Sequence, residues 1–138
     1  MLDLLIAAAL AQAAAPDPCY AAARPNPAPA GCTAWRVLTG DGGSELSIDP
    51  ASVARNAGGF DVRIRIVFAR NREGGMRSGI ALHRVDCAAR TWAIVHSAFY
   101  DARGSLLAEA DLDGEDAAPE AMAAGGPVTN ALMEFCPQ

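Results

Sequence analysis

The chain has 138 residues, enough for one domain, or for one domain and a tail. Hydrophobic residues make up 51%, but thirty-one of them are alanine, which suits surfaces and linkers as well as cores. A net charge of -5 argues against a nucleic-acid binder, and all eleven basic residues are arginine, which reads as coding bias rather than as a functional sign. Beyond the N-terminus no apolar window reaches the roughly 18–20 residues of a membrane-spanning helix.

Leu2 to Ala15 is apolar, too short to cross a bilayer, and ends in small residues. Ala11-Gln12-Ala13 and Ala13-Ala14-Ala15 both offer the small-x-small pattern of a signal-peptidase site, and Pro16 and Pro18 stop any helix there. Residues 1–15 are therefore expected to be a signal peptide, and the mature protein to be periplasmic or secreted. Cys19 follows Pro16-Asp17-Pro18, which is not a lipobox, so no lipid anchor is expected.

Residues 16–34 form a lead-in rich in proline and alanine, with Pro16, Pro18, Pro25, Pro27 and Pro29. Its composition predicts a mobile, extended segment with no sign of docking. Residues 35–138 are expected to be the folded domain. Trp35 to Leu38 predicts a first strand, Asp41-Gly42-Gly43 a turn, and Glu45 to Asp49 a short second strand. Pro50 to Val53 predicts a turn or one helical turn capped by Asp49.

Residues 60–69 carry the clearest pattern. Phe60, Val62, Ile64, Ile66 and Phe68 alternate with Asp61, Arg63, Arg65, Val67 and Ala69, the period of a half-buried antiparallel strand. Asn71 to Gly75 makes a hairpin tip, and the chain returns through Ile80, Leu82 and Val85 to Cys87. After a turn at Ala88-Ala89-Arg90, Thr91 to Tyr100 is a further strand. Asp101 to Gly104 then turns into Ser105 to Ala110. Successive hairpins of this kind make a meander. Residues 111–126 are acidic and then Ala/Gly/Pro-rich, and predict a loop. Pro127 suits a first helical position, and Val128, Leu132, Phe135 and Cys136 share one helical face before Pro137 ends it. The fold class expected is α+β: a meander of five to six strands with one C-terminal helix.

Few residues suggest chemistry. His83 and His96 would fall nearly opposite each other across a tight hairpin, but no carboxylate completes a metal set. Asp111-Leu112-Asp113-Gly114-Glu115-Asp116 has its glycine at position four, not at the sixth position of a calcium loop. No P-loop, Gly-x-Ser-x-Gly or His-Glu-x-x-His occurs. No catalytic residue, metal or cofactor is expected. Charge is uneven: residues 55–90 hold eight arginines against three acids, a net +5, and residues 101–138 hold eight acids against Arg103. Arg63, Arg65, Arg72 and Arg77 make a candidate face for an anionic ligand such as an envelope glycan.

Four cysteines, Cys19, Cys32, Cys87 and Cys136, fit an oxidising compartment and allow three pairings. None of the spacings is Cys-x-x-Cys.

The order of landmarks resembles the surface-adhesin protein E family of bacterial envelope proteins. The matching residues are Trp35-x-Val37, Ile48-Asp49-x-x-Ser52-Val53, the long alternating strand and Ser78-x-Ile80. They continue with Val85-Asp86-Cys87, Arg90, Trp92, Ser97-x-x-Tyr100-Asp101-x-x-Gly104, and Pro127 through Leu132 to Cys136. The resemblance implies an antiparallel sheet with a C-terminal helix tied to it by a disulfide. The pairing expected is then Cys87–Cys136, with Cys19–Cys32 closing the lead-in. It also implies a non-catalytic envelope role, in the best-known members adhesion to host matrix or serum proteins, while the envelope glycan is the partner expected from the arginine face alone. The alternative reading is a small periplasmic enzyme or inhibitor, for which a cleft holding both histidines and a carboxylate would be the sign.

Overall fold

The computed structural model describes Asp17, Cys19, Tyr20 and residues 30–39 and 44–137. The expected signal peptide, the five prolines of the lead-in and the expected turn at Asp41–Gly43 lie outside the described residues.

Seven strands form one antiparallel sheet: β1 (Arg36–Thr39), β2 (Ser44–Arg55), β3 (Gly59–Phe68), β4 (Ser78–Asp86), β5 (Thr91–Tyr100), β6 (Leu106–Asp111) and β7 (Glu120–Ala121). The first six pair in sequence order, a meander, and β7 pairs with the start of β5. One α-helix, α1 (Pro127–Met133), follows, and the other helical pieces are 3-10 turns at Glu73–Gly75 and Gly114–Ala117, so among the described residues the protein is mostly β rather than α+β. The extra strand, β7, sits where a loop was expected. It is only two residues long, and its apolar follower Met122 is buried in the core.

The alternation of β3 sorts the two faces. Phe60, Val62 and Ile64 point to the helix side, where they pack with Ile48, Val85, Leu132 and Cys136. Phe60 pairs with Val85 and Ile64 with Ala81, so β4 delivers its own apolar positions to the same side.

β2 runs straight through Pro50–Val53, where a turn was expected. Between the Asp49–Arg63 and Ala54–Asp61 pairs, β2 has four residues against one on β3, a wide bulge. A bulge leaves Pro50 with no ladder bond to donate. Side chains replace the missing ladder. The Ser52 hydroxyl donates to the Asp49 carbonyl at 2.7 Å and accepts the Arg63 N–H at 2.8 Å. The Asp49 carboxylate accepts the Ala51 N–H and, at 2.7 Å, the Arg63 guanidinium. This is the physical content of the Ile48-Asp49-x-x-Ser52-Val53 pattern.

α1 is shorter than its apolar face suggested. It ends at Met133, and the Phe135 and Cys136 N–H groups bond back to the Leu132 and Met133 carbonyls, a tightened last turn. That turn still places the Phe135 ring 5.8 Å from the Phe60 ring, and Cys136 is bonded to Cys87 with Cα atoms 5.8 Å apart. Arg36 on β1 ion-pairs Glu134 at 3.2 Å, and Arg55 on β2 donates to the Phe135 carbonyl. The helix is thus seated over one end of the sheet.

The lead-in contributes a second finding against expectation. Cys19 is bonded to Cys32, and the described part of the segment docks on the sheet face opposite the helix. The Asp17 N–H donates to the Gly104 carbonyl at 3.0 Å, and Tyr20 stacks on Tyr100 at 4.6 Å. Tyr20 supplies the contact that a proline- and alanine-rich composition hides.

Candidate functional site

The four arginines singled out in the sequence do not make one open basic face. Arg65 is buried, at 2% exposure, and donates to the Tyr20 carbonyl at 3.3 Å beneath the docked lead-in. Arg63 is held by Asp49, donates to the Thr33 hydroxyl at 3.3 Å, and lies 5.9 Å from the Trp35 ring centroid. Both arginines are therefore engaged in fixing the lead-in and the β2 bulge. Arg72 and Arg77 stand apart, at the β3–β4 hairpin. Arg77 is half-buried and donates to the Phe68 carbonyl at 2.8 Å. Arg72 is exposed, with its guanidinium 4.5 Å from the Phe68 ring centroid, a cation–π arrangement.

The two histidines are not brought together. A bulge at Val95 shifts the β4–β5 register, so that His83 faces Ile94 while His96 pairs with Leu82. One residue of slip reverses the face. His83 lies on the helix side, 4.8 Å from the Trp92 ring. His96 lies on the other side, 2.7 Å from Asp111 and 3.6 Å from Glu109. The hydrogen bond to Asp111, with the charges of Asp111 and Glu109, raises the His96 pKa above its ordinary value. Burial does the reverse to His83 and pushes it down to about 4.

The His83 shift has a consequence for acid stability. Between the unfolded value near 6.5 and the folded value of about 4, the unfolded chain holds the extra proton. Stability carried by neutral His83 is present above that window and is lost as pH falls through it. His83→Leu is expected to flatten the fall by up to about 1.4 kcal/mol per pH unit, read by urea unfolding between pH 4 and 6.5. His96 has the opposite sign. Its contribution is present below the unfolded value and is lost as pH rises through the raised folded one.

A mostly apolar groove lies on the helix side of the sheet, beyond the end that α1 covers. It has a volume of about 280 Å³ and is walled by Leu46, Ile64, Ile66, Ala81, Ile94, Phe99 and Leu112, with His83 and Trp92 closing one end. Gly79 lies in its floor, where a Cβ would press on the Phe99 ring at 3.0 Å. The alternation in β3 marked Ile66 as inward-facing, but it carried no sign that this end of the face would be left only partly covered. A second hollow of about 550 Å³, open to solvent, lies beside the Cys87–Cys136 bond between Arg55, Asn56, Arg90 and Met133. Among the described residues no helix is long and apolar enough to cross a membrane, and no group of three or more histidines, cysteines or carboxylates is placed to hold a metal ion.

No curated protein and no solved structure matches the chain. A family model does match, that of surface-adhesin protein E, over residues 35–136. The matched span runs from Trp35, just before β1, to Cys136 in the helix-to-sheet disulfide, so it takes in the whole meander and α1. The chain belongs to the surface-adhesin protein E family.

Proposed function

We propose that this protein is a non-catalytic, exported envelope module that works by binding, and that its ligand seat is the uncovered part of the helix-side sheet face. The groove of about 280 Å³ carries this reading, because it is an apolar hollow left open on a folded surface, with a few polar groups at one end. Family membership and the two disulfides fit export. The enzyme alternative asked for a cleft holding His83, His96 and a carboxylate, and the Val95 bulge places the histidines on opposite faces.

The contact with an anionic glycan that the arginines suggested is proposed for the hairpin tip alone, at Arg72 and Arg77. Retention on heparin is expected to weaken with salt, since exposed charges are screened over roughly 8 Å at physiological ionic strength. Arg72→Glu with Arg77→Glu should elute earlier than the parent protein. Arg63→Ala should leave retention intact and lower stability. Retention unchanged by the hairpin reversals would show those arginines to be only a solvated tip.

The reading as a whole is tested by fractionating the native host. The protein is expected in the periplasm or the culture fluid, with no thiol reactive until reduction. A cytoplasmic protein with four free thiols would overturn it.

A further inference from the structure

The groove selects among ligands by what its floor lacks. The floor is the middle of β2 to β5, where β2, β3 and β4 are laddered on both sides and β5 is laddered to β4 on either side of Val95, to β6 from His96 and to β7 at Thr91 and Trp92. Even at the bulge, the Val95 carbonyl accepts the Leu112 N–H at 3.0 Å. A ligand therefore meets mainly side chains, and of these only His83, Trp92 and Ser97 carry polar atoms. A peptide laid in the groove would bury more amides than these three side chains can bond, and each one left over costs on the order of a few kcal/mol. A hydrocarbon chain has no such groups.

The two ends of the groove differ in charge. Phe68 follows Ile66 on the same face, roughly 7 Å further along the strand. There the Arg72 guanidinium lies 4.5 Å from the Phe68 ring centroid and is exposed. At the other end, Asp116 and Glu120 line a small hollow that shares His83, Trp92 and Ile94 with the groove. An anionic head is attracted at the first end and repelled at the second. The volume of about 280 Å³ lies at the small end of ligand sites, which favours one chain over the two of a phospholipid.

We propose that the groove binds the alkyl chain of a free long-chain carboxylate, with its tail toward Trp92 and its head at Arg72. The inference rests on the binding-module reading and specifies its ligand class.

Calorimetric titration of the disulfide-intact protein with dodecanoate, dodecanol and dodecyltrimethylammonium tests it. Dodecanoate is expected to bind at one molecule per protein, about tenfold more tightly than the cationic chain. Arg72→Glu should weaken dodecanoate by about fivefold and leave dodecanol unchanged. Ala81→Phe should fill the groove and weaken all three by about tenfold or more. Ile94→Glu, at a position already 39% exposed, serves as a second block that does not load the core. Absence of dodecanoate binding would overturn the proposal. Equal affinity for the anionic and cationic chains, or binding unmoved by both groove variants, would do so too. So would binding seen only with phosphatidylglycerol vesicles, or sedimentation as a dimer that buries Ile94 and Phe99. Loss of the proposal with heparin retention and export intact would leave the binding-module reading standing.

Discussion

Replacing Cys87 and Cys136 together by alanine is expected to lower the melting temperature by about 15 °C. The bond closes a loop spanning 49 positions, which constrains the unfolded chain by about 4 kcal/mol in the chain-entropy treatment. For a domain of this size each kcal/mol is worth roughly 4 °C. The folded side adds to this. α1 has seven residues, well short of the roughly 12–15 at which an isolated helix is even marginal in water. Its hold on the sheet is Leu132 and Phe135 packed near Phe60, the Arg36–Glu134 pair and the disulfide. Without the covalent tie the last turn would fray and open Phe60 and Val85 to water. Cys19→Ala with Cys32→Ala removes a shorter loop, spanning 13 positions and worth about 3 kcal/mol on the same footing. The family-matched span lies outside it, and touches it through Tyr20, which meets Arg65 and Tyr100, beside the Asp17 bond to Gly104. The second pair is therefore expected to cost clearly less. Thermal unfolding of both variants decides the order, and a larger loss from the Cys19 pair would show that the lead-in, not the helix, is the principal clamp.

How far the sequence revealed this architecture depended on the length of each signal. β3 was plain because ten residues repeat one alternation and their partners obey it. The turn at Asp101–Gly104 was equally plain. Gly104 adopts φ 87°, and the Asp101 carboxylate accepts the Arg103 and Ser105 N–H groups, which holds its pKa low. The β2 bulge was hidden because Pro50 and Ser52 are turn residues by chemistry, and only the cross-strand bond to Arg63 makes them part of a strand. β7 was hidden because two residues have no period.

The candidate site failed to show for a different reason. Exposure of a residue in a strand is decided by what covers its face, and that is a tertiary fact. Arg63 and Arg65 look outward from β3, yet the lead-in lies over them. Ile66 looks inward, yet it is only partly covered, because the helix stops short of the groove. The length comparison was available all along. Even the ten residues 127–136 that the sequence offered for the helix would rise only about 15 Å, whereas ten strand residues extend about 33 Å. One short helix leaves part of such a face bare.

The second large effect lies in the Gly58-Gly59 pair that joins β2 to β3. Gly59→Ala is expected to cost about 3 kcal/mol or more, roughly 12 °C in melting temperature. A Cβ on Gly59 would stand 1.9 Å from the Val85 carbonyl oxygen and 3.3 Å from the Cys87 nitrogen. Both obstacles are backbone, so no rotamer change relieves them. Either the first rung of the β3–β4 ladder, Gly59 with Asp86, must open, or the end of β4 must move. The end of β4 is poorly free to move, because the Cys87 N–H donates to the Gly58 carbonyl at 3.1 Å and its sulfur is bonded to Cys136. Phe60, the next residue, is fully buried and would be dragged with the strand. Gly58 is the control. A Cβ there meets nothing within 4 Å, so Gly58→Ala should be neutral or stabilising by about 0.5 kcal/mol through the unfolded chain. Because the strain at Gly59 is resisted by the disulfide, its cost should shrink when Cys87 and Cys136 are both alanine, a coupling that a double-mutant cycle measures directly. Strictly additive losses would mean that the strand end yields without the disulfide taking up any of the strain.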